Sequence, residues 1–320
     1  MNVWHGMVWW FAIAAWAWSG LAVGQAKPIR VLVGVAAGGG VDAMSRLYAE
    51  KLREALGQPV IVENRAGASG LIAMDALRAA PADGQTLLFA PNGGVTLIPQ
   101  TFRNPRFDPF KDIVPVAMVG KSEVVLVANA QTKASTVAEF VAKAKDDAQL
   151  RNFGAAPGTI LHLGAALFGD AAGLALTHVP YKGAGQVITD VLGGVLAASV
   201  LTTGEAVPHE RAGKVRMLAT FGSARSALVP HVPTMTEAGY PLQVNAWFGF
   251  YATSGTPSAT IDRFGQALVA ASASAEVRER MATLGIEPAP MLSAEVVPIM
   301  RADYANWARA IKIAKLTPQD

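Results

Sequence analysis

A strand that runs into a glycine turn and then an amphipathic helix, and does so in two separate stretches of the chain, most restricts the fold. Pro28 to Val35 is a short apolar run (Ile29, Val31, Leu32, Val33, Val35) followed by Gly38-Gly39-Gly40. Met44, Leu47, Tyr48, Leu52 and Leu56 then recur at helical spacing, with Arg46, Glu50 and Arg53 off that stripe and Gly57 ending it. Val60-Ile61-Val62 predicts a second strand, Gly67–Gly70 opens a helix through Ala80, and Asp83-Gly84 turns into a strand over Thr86–Ala90. Asn92–Pro115 reads as a long, proline-rich connection. Val124–Val127 predicts a buried strand and Val137–Lys145 a helix, and Asn152-Phe153-Gly154 restarts the pattern. The second round predicts a helix near Leu161–Ala171, a strand over Leu176–Val179, a helix over Val187–Leu192 and a strand over Met217–Thr220. Pro230–Pro241 reads as a loop, Trp247–Ala252 as a strand and Gly255-Thr256-Pro257 as a turn, with helices dominating the remainder. This alternation predicts an α/β fold of parallel sheet covered by helices. With no flexible linker between the rounds, two lobes joined by crossing strands are expected, with a ligand cleft between them.

The N-terminal segment is of another kind. Val8 to Val23 is almost wholly apolar and contains Trp9, Trp10, Trp16 and Trp18; Gly24-Gln25-Ala26 follows, a small-x-small triplet suited to signal peptidase. Residues 1–26 therefore read as a secretory signal, although the segment before the apolar run offers only His5 and no Lys or Arg. Cleaved, or kept as an anchor, the segment exports the body of the protein. Fifty-two per cent apolar content within 320 residues is ample for a large core. The absence of cysteine excludes thiolate zinc sites, iron–sulfur clusters and a cysteine nucleophile. Net charge is +3 with Lys and Arg scattered, so the basic stripe of a nucleic-acid binder is missing.

Gly38-Gly39-Gly40-Val41-Asp42-Ala43 satisfies G-x-G-x-x-A between a strand and a helix, and Glu63 follows where a ribose-binding acid would fall. A dinucleotide-dependent enzyme is thus the alternative reading. Asp42 argues against it, since it puts a carboxylate where the pyrophosphate would lie. The loop has a second use: unpaired N–H groups at a helix N-terminus suit any small anion, a carboxylate included. No G-x-S-x-G elbow, H-E-x-x-H or P-loop is present, and His162, His178, His209 and His231 are dispersed. No catalytic centre, cofactor or metal is expected.

Several segments, in order, resemble the substrate receptors of tripartite tricarboxylate transporters, the Bug receptors. They are Lys27-Pro28-Ile29-Arg30, Gly38-Gly39-Gly40-Val41-Asp42, Glu63-Asn64-Arg65-Ala66-Gly67-Ala68 and Asp83-Gly84-Gln85-Thr86-Leu87-Leu88. Phe107-Asp108-Pro109-Phe110-Lys111-Asp112, His178-Val179-Pro180-Tyr181-Lys182-Gly183 and Ala212-Gly213-Lys214-Val215-Arg216 continue the series. It closes with Val232-Pro233-Thr234-Met235-Thr236-Glu237-Ala238-Gly239 and Gly255-Thr256-Pro257.

The resemblance implies a two-lobed type II periplasmic-binding-protein fold that captures a small carboxylate in the periplasm, without chemistry, as a monomer that serves membrane permease subunits. A ligand-sensing co-receptor for a membrane signalling protein is compatible with the same residues. It implies lobes of residues 27–125 plus 248–320 and of residues 126–247, with crossing strands near Val124–Ala128 and Ala246–Ala252. The first glycine loop (Gly38, Gly39, Gly40, Val41, Asp42) would hold the ligand against a facing loop, Gly154–Thr159, through Gly158 and Thr159. Tyr181, Lys182, Gly183, Thr202 and Thr203 would line the same cleft. Asn92, at a strand end, is a further candidate, though its type also suits a turn. Trp247 suits core or pocket wall, and Asp42 suits a helix cap.

Two departures from the family pattern bear on the ligand. Ala37 and Val41 stand where proline and threonine are usual, and the facing loop is one residue short with Ala155 in place of a common serine. A lost hydroxyl removes a bond worth about 1.5–3 kcal/mol to a charged acceptor. The departures imply an acid with a more apolar body, aromatic or branched, or a receptor that has drifted from transport.

Overall fold

The computed structural model describes residues 27–318 except Pro105, Lys182 and Asn245, so the expected export segment and Lys182 lie outside the described residues. β1 (Ile29–Val33), α1 (Gly40–Leu56), β2 (Val60–Asn64), α2 (Leu71–Arg78), β3 (Thr86–Pro91) and β4 (Ile113–Ser122) come first. β5 (Val124–Asn129), α3 (Val137–Asp146), β6 (Asn152–Ala155), α4 (Ile160–Ala172), β7 (Thr177–Pro180) and α5 (Ala184–Leu192) follow. Then come β8 (Ala198–Thr202), α6 (Thr203–Arg211), β9 (Val215–Thr220), β10 (Ala246–Thr253), α7 (Ser258–Ser272), α8 (Ala275–Thr283), β11 (Glu287–Leu292) and α9 (Ser293–Ile313).

The α/β class expected from the sequence holds, but the sheets are mixed. A six-stranded sheet has the order β11-β4-β10-β3-β1-β2, a three-stranded sheet the order β8-β5-β9, and β6 pairs with β7. Among the described strands only β2-β1-β3 and β6-β7 pair in parallel; β10 runs antiparallel to β3 and β4, β11 antiparallel to β4, and β5 antiparallel to β8 and β9. Three strands escaped the sequence reading: β8, and the two, β4 and β11, in which prolines interrupt the pattern. Pro115 lies in β4 where the register with β10 slips between Phe250 and Tyr251, a bulge that tolerates a residue without an N–H. Pro288 and Pro290 lie in β11, which is an edge strand.

Two layers cover the large sheet. Ile29, Val31, Val33, Phe89 and Phe250 pack on Met44 and Tyr48 of α1 and Phe264 of α7, while Leu32, Leu88, Trp247 and Tyr251 face Met74 of α2 and Met300 of α9. A second core gathers Leu126, Phe140, Phe153, Leu163, Phe168 and Phe221, and it also takes Trp307 and Ala310 from the far end of α9. The last helix therefore starts on the large sheet and finishes in the other core.

Chain continuity ties the sheets together as well. Only Glu123 separates β4 from β5. Its buried carboxylate accepts from Lys121 Nζ at 2.8 Å, and Lys121 reaches Glu287 at 3.5 Å. Gly285, at φ +68°, lies so close to Gly204 that a Cβ there would come 2.4 Å from the Gly204 Cα. Only glycine combines that backbone conformation with that approach.

Trp307 is fully buried, and its indole N–H donates to Thr96 Oγ1 at 3.1 Å. Trp307→Ala should lower the free energy of unfolding by about 3–5 kcal/mol, read by urea denaturation. A loss below about 1 kcal/mol would mean that α9 does not brace the second core.

Candidate functional site

A cavity of about 420 Å³ opens where the C-terminal ends of β1 and β3 meet the second unit. The large sheet supplies Gly34 and Val35 after β1, Leu88 to Pro91 of β3, Ser122 at the end of β4 and Ala246 to Phe248 at the start of β10. Ser69, Gly70 and Met74 close one side and Asn92 to Gly94 with Leu97 and Ile98 another. From across the gap come Pro157, Gly158, Thr159, Ile160 and Thr202. Strand ends at a change of sheet direction are where open α/β sheets place ligands. The two sides approach closely, for a Cβ on Gly93 would come 3.3 Å from Ile160 Cγ2.

The facing loop is built by its own hydrogen bonds. Gly158 takes φ +72°, and Thr159 caps α4: its hydroxyl donates to the Ala156 carbonyl at 2.8 Å and accepts the His162 N–H at 3.3 Å. With the Thr159 N–H on the Ala156 carbonyl at 3.3 Å, the N–H groups of Ile160 and Leu161 are left without an acceptor inside the helix. The positive end of a 13-residue helix thus meets the cavity at Ile160. His162 sits beneath this loop, its Nδ1 accepting the Gly158 N–H at 3.2 Å and its ring stacked 3.8 Å from His178. Burial, with some help from the charge of His178, pushes His162 down to about 4, so it is neutral at neutral pH and free to accept that bond. His178 Nε2 donates to the Ala155 carbonyl at 2.9 Å.

The opposite wall rests on Asp303 of α9, a carboxylate only 2% exposed. It accepts from the Trp247 indole N–H at 2.7 Å and from the Asn92 amide at 2.8 Å. Asn92 Oδ1 in turn accepts the Trp247 backbone N–H at 3.3 Å. Asn92 therefore lines the cavity while these bonds tie it into the wall.

Of the residues singled out from sequence, Val41, Asn92, Gly158, Thr159 and Thr202 are brought together around the cavity. Thr202 is also held by a capping box at the start of α6, its hydroxyl donating to Glu205 at 2.8 Å. Gly38, Gly39, Gly40 and Asp42 fall outside the lining. Asp42 turns into its own loop, accepting from Gly38 N–H at 2.9 Å, Arg46 Nε at 3.0 Å and Asn64 Nδ2 at 2.8 Å. The Arg46 hydrogen bond, aided by Gly38 and Asn64 against the effect of burial, draws Asp42 down to about 2. Tyr181, Gly183 and Thr203 are likewise outside the lining. The Tyr181 hydroxyl donates to Asp190, and that bond, with burial, raises the phenol to about 12; the ring lies against Gly154. Gly183 caps α5, and Thr203 is wholly buried in the first turn of α6.

Sequence reading passed over Ser69, Gly70, Gly93, Gly94, Ser122 and Phe248. Gly93-Gly94 repeats the strand-then-glycine pattern that drew attention to Gly38–Gly40, and could have been found by it. Ser122 and Phe248 carry no local signal, because only the meeting of β4 with β10 brings them to the cavity.

The tripartite tricarboxylate transporter family receptor profile matches residues 44–316. The chain belongs to that family. BugT of Bordetella pertussis (strain Tohama I) is 35% identical over 294 residues, spanning 90% of this chain and 89% of BugT. The periplasmic binding protein BugD superposes with a TM-score of 0.74 at 29% identity, covering 91% of this chain and 99% of BugD. Rpa4515 of R. palustris, solved with adipate, gives a TM-score of 0.77 at 27% identity, covering 91% of this chain and 98% of that one. The Bug-type resemblance drawn from sequence motifs is borne out, and so is the periplasmic-binding-protein fold.

Two outcomes follow from this receptor's site. Asp303→Ala leaves the Trp247 indole and the Asn92 amide without their carboxylate and should cost about 1–3 kcal/mol per group in urea denaturation. A stability within about 0.5 kcal/mol of the parent would mean that the wall does not depend on Asp303. His162 gives a pH test with a definite sign. Its folded value lies below the ordinary 6.5, so the unfolded chain binds the proton first and stability falls as pH drops from 6.5 through 4. His162→Gln should flatten the profile in that window, and an unchanged slope would assign the acid loss elsewhere.

Proposed function

We propose that this protein is an exported solute receptor that captures a small carboxylate between two lobes and delivers it unchanged to the membrane subunits of a tripartite transporter. The observation that carries this reading is the cavity of about 420 Å³ with the N-terminus of α4 at its edge. In that position, a helix terminus with unspent N–H groups holds an anion by hydrogen bonds and by the helix dipole. Family membership supports the transport partner, and the adipate in Rpa4515 supports the ligand class. We assign residues 27–125 and 248–320 to one lobe and 126–247 to the other, with the end of α9 reaching across to the second core. The location that fits is the periplasm, in keeping with the apolar segment at the N-terminus. The receptor works as a monomer and performs no reaction.

The dinucleotide reading of the Gly38–Gly40 loop fits less well. Asp42 takes the Gly38 N–H that a pyrophosphate would need, and its charge would repel that group. Glu63, placed where a ribose acid would fall, is engaged by Arg30 through bonds of 2.6 and 2.9 Å.

A thermal-shift screen of the purified protein against small carboxylates, amino acids and nucleotides tests the proposal. A carboxylate at a hundred times its Kd should add about 2.7 kcal/mol of stability and raise the midpoint. A shift with nicotinamide dinucleotides alone would replace the receptor reading with the enzyme reading.

A further inference from the structure

The cavity is unequal at its two ends. Met74, Leu88, Phe89, Leu97, Trp247 and Phe248 give it an apolar wall, and among the described residues no charged side chain lines it. The donors suited to an anion lie at the other end, in the Ile160 and Leu161 N–H groups of the first turn of α4, because the Thr159 hydroxyl donates to the Ala156 carbonyl and the Thr202 hydroxyl to Glu205. A second carboxylate on the ligand would meet no cation among the described lining residues, only neutral groups such as the Ser69 hydroxyl and the Gly93-Gly94 backbone. The first glycine turn is poorly placed to supply a partner, because Asp42 already accepts the Gly38 N–H there. Toward β10 the prospect is worse: Asp303 stands directly behind the Trp247 indole and the Asn92 amide, so a second anion at that wall would approach a carboxyl group.

We propose that the cavity selects an organic acid with one carboxylate and an apolar, preferably aromatic, body, and rejects dicarboxylates of the same length. This rests on the receptor reading above and narrows it. The carboxylate docks at the Gly158–Ile160 end, and the apolar body lies against Trp247, Phe89 and Met74. Such a ligand places its one charge on the helix terminus. A dicarboxylate would bury a second charge against neutral groups alone, and a buried charge that is poorly paired is among the costliest errors in recognition. Rpa4515, which holds adipate, would then differ from this receptor in specificity while sharing its fold.

Calorimetric titration with two matched pairs separates the possibilities: benzoate against terephthalate, and hexanoate against adipate. Each pair keeps its carbon frame and adds one carboxylate. The monoacid of at least one pair should bind about ten-fold tighter or better than its diacid, and neither diacid should bind tighter than its monoacid. Terephthalate or adipate binding as tightly as its partner, or tighter, overturns the selectivity and leaves the receptor reading standing. Silence with all four acids, while the protein remains folded by circular dichroism, overturns the present inference; silence across the wider carboxylate screen as well would overturn the receptor reading beneath it.

Discussion

The carboxyl group of Asp303 ties together parts of the chain that are far apart in sequence. From α9 it reaches the Trp247 indole on β10 and the Asn92 amide at the end of β3. A carboxylate withdrawn from water loses several kcal/mol of hydration, and only well-aligned hydrogen bonds recover that loss. The bonds at 2.7 and 2.8 Å have the lengths expected of charge-assisted pairs. Because they end on residues that line the cavity, the requirement to satisfy one buried acid also sets the position of a cavity wall. Burial of Tyr251 beside the same acid raises its phenol well above the ordinary value, so no second charge forms there.

The same helix contributes to both cores. Val296 and Met300 lie in the core beneath the large sheet, while Trp307 and Ala310 lie in the core of the other unit. Gln100, just past the cavity loop, donates to the Tyr304 carbonyl at 3.0 Å, and Thr96 accepts the Trp307 indole N–H. The Asn92–Gln100 stretch is therefore held along its length by α9. Its glycines at 93 and 94 leave room on the cavity side without weakening that attachment.

Across the gap, the shape of the facing loop depends on His162. A neutral imidazole accepts the Gly158 N–H and supports the turn that presents the start of α4. Protonation would turn that acceptor nitrogen into a donor and set it against the N–H it now receives. The stacked His178 opposes the same protonation by its charge. The facing loop is thus kept in shape by a group that must stay uncharged.

Much of the fold could be read from residue order, because the relevant forces are local. The stripe from Met44 to Leu56 makes α1 amphipathic, and Gly57 at φ +63° ends it. Thr159, followed by an apolar run, marks the capped start of α4. The family motifs likewise sit in turns and strand ends whose geometry depends on a few neighbouring residues. By itself, then, the sequence determined the α/β class, the family and the facing loop of the cavity. Tertiary structure decided the rest. Local pattern could not reveal β4 and β11, whose prolines are tolerated only because one falls at a bulge and the others on an edge. Nor could it show that Asp42 and Tyr181 are occupied by Arg46 and Asp190, while Ser122 and Phe248 line the cavity. A side chain's local pattern limits what it can bind, but what it does bind depends on which partners the fold brings within hydrogen-bonding distance.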